Sequence, residues 1–228
     1  WTKVKLYFML GLPTVTQEDI EGIAILANQI CATFFDEIPK EDRKNGKVNI
    51  VASTSFFVPK PFTPFQWAKQ CTKEEFLDKS NHTRKAISSQ LNQKSIRYNW
   101  HEADTSVLEG ALARGDRRLG DVILRAYQKG CIFDAWSEHF DHTKWLEAFE
   151  ECNVSIDFYT ARERAEDELF PWDFIDAGVT KAFLLREWKK ALRGETSPNC
   201  REQCNGCGLN CTEAISVTPQ QNCRSDYL

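Results

Sequence analysis

Methionine is nearly missing from this chain: Met9 is the only one in 228 residues, and there are only four histidines. A long apolar run is missing altogether. Nothing approaches the ~20 residues that cross a bilayer, and no basic, then apolar, then small-residue leader opens the sequence. A surplus of charge is also lacking. Twenty-nine Lys and Arg stand against 33 Asp and Glu, a net charge of −4, which excludes a global attraction to nucleic acid or to an anionic membrane. Disorder over most of the length is excluded too, because 42% of residues are hydrophobic and 12% aromatic, enough to bury a core. The expectation is a soluble cytoplasmic protein making one large domain or two small ones. The chain opens at Trp1 and its first strand pattern begins almost at once. A natural N-terminus rarely enters a core strand without a lead-in, so the sequence is expected to be the C-terminal piece of something longer.

The stretch around which the rest is organised is residues 5–19. Residues 4–10 form an apolar and aromatic run stopped by Gly11 and Pro13, which suits a parallel strand covered on both faces. Thr16 followed by Asp19 is an acidic variant of the capping box ahead of an apolar helical pattern. Strand, tight turn and helix N-terminus together make the edge of an α/β site, because ligands sit beyond the carboxyl ends of parallel strands.

The pattern then alternates. A helix is expected over residues 17–35, with Ile20, Ile23, Leu26, Ala27, Ile30 and Phe34 on one face. An exposed charged connection follows over 40–46, then a β-branched strand over 48–57. That order is a βαβ unit, so the strands should be parallel. Pro59, Pro61 and Pro64, interleaved with Phe62, Phe65 and Trp67, cannot continue a sheet. They form a stiff aromatic loop that either plugs a barrel mouth or borders a pocket. A surface helix over 73–92 leads to a third, more polar strand over 95–101. His101, beside Glu102 and Asp104, reads as a structural histidine before a titrating one.

From Thr105 the pattern is helical. Helices are expected over 106–114 and 117–129, with Asp116 capping the second. Arg114, Arg117 and Arg118 form the one dense basic spot. It would grip a phosphate or, more simply, pair with Asp116, Asp121 and Glu109. Glu138, His139, Asp141 and His142 make a loose metal-ligand pattern without the His-Glu-x-x-His spacing. A helix start with Asp141 leading into residues 143–152 is preferred. Residues 156–174 read as an irregular wrap, and 180–193 as a final helix ended by Gly194.

Five of the nine cysteines lie in the last 29 residues. Cys200, Cys204, Cys207 and Cys211 are packed among Asn205, Gly206 and Gly208, and glycines let the backbone fold into a knuckle that turns N–H groups toward sulfur. Disulfides fit poorly with short loops and a cytoplasmic chain. Four thiolates at this density suit zinc or an iron–sulfur cluster. Cys31, Cys71, Cys131 and Cys152 read as ordinary buried or half-buried thiols, and Cys223 lies in a tail, residues 212–228, expected to be disordered.

Residues 6–14, Leu-Tyr-Phe-Met-Leu-Gly-Leu-Pro-Thr, resemble a late barrel strand of radical S-adenosylmethionine (radical SAM) enzymes, the cobalamin-linked ones above all. Residues 57–67, 108–119, 133–141, 171–176 and the cysteines from 200 to 211 are similar to one uncharacterised cobalamin-binding-type radical SAM family. Val15 stands where such strands often carry Glu, and Phe62 where His is expected. The resemblance implies an α/β chain. Residues 1–102 would be the last βα units of a partial (β/α) barrel, 103–195 a mainly helical extension, and 196–211 a four-Cys metal knuckle. It implies a [4Fe–4S] cluster and S-adenosylmethionine as cofactors, a reductant as partner, and cobalamin in an upstream part. Gly11, Pro13 and Thr14 would border the nucleoside. The reaction class is radical modification of an unknown substrate, with methyl or methylthio transfer suggested, and the catalytic residues stay unknown.

The spacing of Cys200, Cys204 and Cys207 equals that of the triad holding the radical-forming cluster in such enzymes. That cluster leaves one iron open for S-adenosylmethionine, whereas Cys211 is placed to close the fourth position. The triad also precedes most of the barrel, and here only 17 residues follow Cys211. The cysteines therefore read as a closed auxiliary or structural site, with the catalytic triad upstream of Trp1. Two other classes stay open: a metal-stabilised module that docks a protein or RNA through the Arg114–Arg118 spot, and a plain electron-transfer protein.

Overall fold

The computed structural model describes residues 2–43 and 47–209. Three strands, β1 (Lys3–Leu10), β2 (Asn49–Phe56) and β3 (Ile96–Trp100), form one parallel sheet in the order β1-β2-β3. Helix α1 (Gln17–Glu37) joins the first two strands and α2 (Lys73–Ser88) lies between the second and third. The strand–helix alternation and the parallel pairing thus match the expected βαβ order. The register runs Lys5–Val51–Arg97 in one row and Tyr7–Ser53–Asn99 in the next.

Alternate residues of a strand point to opposite faces, and the two faces differ here. Leu10, Ala52 and Phe56 are buried with Ile20, Ile23 and Ala24 of α1 and Phe76 and Ile87 of α2. Farther down, Val48 and Ile50 are buried with Ala27 and Cys31. The expectation that β1 is covered on both faces is overturned. Lys3 and Lys5 are exposed, Tyr7 is 74% exposed and Met9 46%. β1 is an edge strand, and its helices cover only the even-numbered side.

Helix starts follow the side-chain chemistry. The Thr16 N–H donates to Asp19 Oδ2 (2.8 Å) and the Asp19 N–H to Thr16 Oγ1 (3.2 Å), closing the expected box. The Thr16 N–H, and then the Thr16 hydroxyl donating to the same Oδ2, hold the Asp19 carboxyl below its usual range. A second box, Thr72 with Glu75, starts α2.

Helices α3 (Ala103–Arg114), α4 (Leu119–Gln128), α5 (His142–Glu151) and the short α6 (Ile156–Tyr159) follow. Their shared core is Leu108, Ala111, Leu119, Val122, Ala126, Trp145, Ala148, Phe149 and Tyr159. Asp141 caps α5, accepting from the Thr143 and Lys144 N–H groups. Asp116 accepts from the Arg118 N–H (3.0 Å), so α4 starts at Leu119, two residues later than expected.

The chain divides into two compact units. One unit holds residues 1–58 and 69–162, so the sheet and α1–α6 belong together. The other joins residues 59–68 to the described residues from 163 to 209. Within it, the Trp67 ring packs on Phe170, Phe65 meets Trp188 of α7 (Lys181–Leu192), and the Arg164 guanidinium lies over Phe170 and Trp172. Gln66 is buried, and its Oε1 accepts from Trp172 Nε1 at 2.8 Å. The expected tail, residues 212–228, lies outside the described residues.

Candidate functional site

The Gly11 turn follows the carboxyl end of β1, beside the end of β2. The Phe57 N–H donates to the Leu10 carbonyl (2.8 Å) and the His101 N–H to that of Thr54 (3.2 Å), extending the ladder past each strand end. Gly11 has φ +85°, and a Cβ there would sit 2.7 Å from Phe76 Cε1 and 3.1 Å from Cys71 Sγ. Only a residue without a side chain fits. Thr14 also lies in the left-handed region, at φ 68°, where a β-branched residue is an outlier. Of the three residues expected to border a nucleoside, Gly11 is buried, Pro13 half-buried and Thr14 exposed.

Cys71 links this turn to a cleft of about 480 Å³, a volume that suits a small molecule. Its thiol donates to the Gly11 carbonyl (3.8 Å), and burial, then the neighbouring Glu75, push its pKa up. This is the opposite of an activated nucleophile. Across the same cleft, Lys73 Nζ lies 2.8 Å from Asp104 Oδ2 and His142 Nδ1 lies 3.4 Å from Asp104 Oδ1. This Lys73–Asp104–His142 constellation was not legible in the sequence, since its members start three different helices. The Asp104 carboxylate holds Lys73 at the rim with the His142 ring beside its other oxygen, while Val107, Leu146 and Phe149 supply an apolar wall.

The structure separates the remaining sequence candidates. His139 lies against the Phe133 ring and His142 Nδ1 lies 3.4 Å from Asp104 Oδ1, although both histidines border one cleft with Glu138 and Asp141. Among the described residues no group of three or more His, Cys, Asp or Glu is arranged to hold a metal. His101 is exposed just past β3. The basic spot is dispersed as well. Arg114 is fully buried, and Arg118 Nη2 sits 2.6 Å from Asp116 Oδ2.

That pair makes a titration prediction. The Arg118 guanidinium holds the Asp116 carboxyl down at about 2, against an ordinary 3.8. A depressed carboxyl contributes stability that is complete above its ordinary pKa and is lost as pH falls through the folded one. Arg118→Ala should therefore raise the Asp116 midpoint toward 3.8, as read by side-chain NMR. The change in global stability should be small, because the pair is largely exposed. A midpoint still near 2 in the variant would show that another donor holds it.

The cysteine segment lies against the start of α7. Gly206 (φ 62°) and Gly208 (φ 104°) flank Cys207, and both need the freedom of glycine. A Cβ on Gly208 would meet Thr180 Cγ2 at 2.7 Å and the Gly178 carbonyl at 3.0 Å. The Thr180 N–H donates to the Cys207 carbonyl (2.9 Å), and Asn205 Nδ2 to that of Pro198 (2.6 Å). Cys200 is an exposed free thiol and Cys207 a half-buried one. Cys204 is disulfide-bonded, so a four-thiolate site requires it reduced. Cys211 lies outside the described residues.

Known proteins add little to this geometry. No family model matches the chain, and no solved structure does. Among curated proteins, Uncharacterized protein MJ0966 of Methanocaldococcus jannaschii is 31% identical over 152 residues, which cover 67% of this chain and 30% of that protein. The chain is thus similar, over two-thirds of its length, to part of a longer archaeal protein, and it spans less than a third of that relative.

Proposed function

We propose that the chain is the C-terminal part of a radical SAM iron–sulfur enzyme, the whole of which cleaves S-adenosylmethionine reductively and modifies a substrate by radical chemistry. One observation carries the barrel part of this reading: α1 and α2 lie on the same face of a parallel sheet. An open doubly wound sheet takes helices on both faces. A barrel takes them on one, and its inner face is lined by side chains from successive strands. The Lys5–Val51–Arg97 and Tyr7–Ser53–Asn99 rows would then face the lumen, with the Gly11–Thr14 turn at its mouth. The length of the archaeal relative agrees with a larger parent protein.

The knuckle would hold an auxiliary cluster or a zinc ion through Cys200, Cys204, Cys207 and Cys211. Its donor chemistry fits such a group: four sulfurs on one short segment, with left-handed glycines on either side of Cys207. When bound, that group would cross-link the segment. The chain's own part is to present Cys207 from a loop anchored at Thr180.

Two measurements test the proposal. The coding frame upstream of Trp1 should contain a Cys-x3-Cys-x2-Cys motif about 150–200 residues away, the length of the absent barrel strands. The longer product, loaded anaerobically with iron and sulfide and given a reductant, should then release 5′-deoxyadenosine from S-adenosylmethionine. A closed frame, or no release, removes the enzyme reading. For the knuckle, the reduced 228-residue chain should retain one zinc or one cluster per molecule after gel filtration, and Cys207→Ser should retain next to none. Equal metal content in both would show that Cys207 is not a ligand.

A further inference from the structure

The second compact unit contains a cavity of about 290 Å³ that nothing above uses. Phe62, Gln66, Asp173, Phe174, Ile175 and Asp176 are among its lining residues. Three features of this lining point to a ligand. Phe62 has φ 57°, a conformation that costs a bulky residue free energy and persists only where its surroundings hold it. Here the Phe62 N–H donates to Gln66 Oε1 (3.2 Å), the atom that also accepts from Trp172 Nε1. The unit therefore holds an aromatic ring at the cavity wall at the expense of backbone strain. Phe174, on the same cavity, is 84% exposed, which leaves a large ring face wet. Asp173 is neutralised by Lys181. Asp176 has no cation beside it among the described residues; its Oδ1 accepts from the Gly178 N–H and its Oδ2 has no partner there.

We infer that this cavity binds a nucleobase carrying an exocyclic amine, its ring against Phe62 and Phe174 and its amino group donating to Asp176. Two aromatic faces select a planar ring, since stacking is the interaction they offer. A lone carboxylate oxygen selects a donor edge over an acceptor edge. The volume admits one base and no larger fused system. Between the lining residues Val179 and Lys181, the Thr180 N–H donates to the Cys207 carbonyl (2.9 Å). The inference is independent of the radical SAM reading and survives its failure.

The test is calorimetric titration of the full 228-residue chain with adenosine, cytidine and uridine. Adenosine and cytidine should bind and uridine, which lacks the amine, should bind more weakly. Phe174→Ala, a change at the surface, should weaken adenosine by about 5- to 150-fold, the range of one lost base stack. Asp176→Asn keeps an acceptor for Gly178 and should bring adenosine and uridine to similar affinities. Phe62→Gly separates function from folding: it should raise the unfolding midpoint by relieving strain while weakening adenosine. Adenosine monophosphate and single-stranded oligoadenylate then distinguish the source of the base. Equal affinities identify a free nucleotide, and markedly tighter binding of the oligomer a base displayed on a strand. No heat with any nucleoside up to its solubility limit, or adenosine binding unchanged in Phe174→Ala, overturns the inference.

Discussion

Gly110→Ala should lower the unfolding free energy by about 2–4 kcal/mol, although alanine in place of a mid-helix glycine normally adds up to about 1 kcal/mol. A Cβ on Gly110 would lie 1.7 Å from Gln70 Oε1 and 2.7 Å from its Cδ. Gln70 cannot step aside into water, because it is fully buried. Its Nε2 donates to the Ser106 carbonyl (2.7 Å) and its backbone N–H to that of Thr160 (2.8 Å). Moving the amide strands a buried donor and a buried acceptor, each of which costs about 1–3 kcal/mol. Urea titrations of Gly110→Ala, Gln70→Ala and the double variant measure the coupling. The double variant should be about 1–2 kcal/mol better than the sum of the singles, as for residues in contact. A Gly110→Ala chain at least as stable as the parent would mean that Gln70 does not occupy this position.

Phe76→Ala should cost about 3–5 kcal/mol, the range for emptying a large aromatic site. Phe76 is fully buried and stacks on Phe56 with ring centroids 4.2 Å apart and planes 19° apart. It also fills the space that the missing Cβ of Gly11 leaves open. One ring therefore supports both the end of β2 and the turn after β1. Loss of this ring should loosen the Gly11–Thr14 turn as well as the core. Hydrogen exchange would register this as faster exchange at the Phe57 N–H, which is bonded to the Leu10 carbonyl. Phe76→Leu keeps most of the volume and should cost about 1–2 kcal/mol. A loss below 1 kcal/mol for Phe76→Ala would place the ring outside the core.

What could be read in advance depended on how local each signal was. The Thr16–Asp19 box, the parallel strand–helix alternation and the Asp141 cap each rest on residues within one turn or one repeat, and each is present. The open face of β1 was written in the sequence too, as Lys3 and Lys5 alternating with Val4 and Leu6. Tyr7 and Met9, both apolar, disguised that period of two as a continuous run. The Thr72–Glu75 box that starts α2 is equally local but was not read from the sequence. By contrast, the Lys73–Asp104–His142 cleft joins residues far apart in sequence, which no periodicity encodes. The pairing of residues 59–68 with the C-terminal segment rests on contacts such as Gln66 with Trp172, 106 positions apart. The clustering of Cys200, Cys204, Cys207 and Cys211 was visible as composition, but composition does not say which sulfurs are free.

The split make-up of the second unit bears on how the protein is made. Residues 59–68 leave the ribosome roughly 100 residues before the aromatic partners that bury Trp67 and Gln66. At about 5–20 residues per second this is a wait of about 5–20 s, long compared with the folding of a small βα unit. During that interval Phe62, Phe65 and Trp67 are an apolar segment without a home, flanked by three prolines that keep it from pairing as a strand.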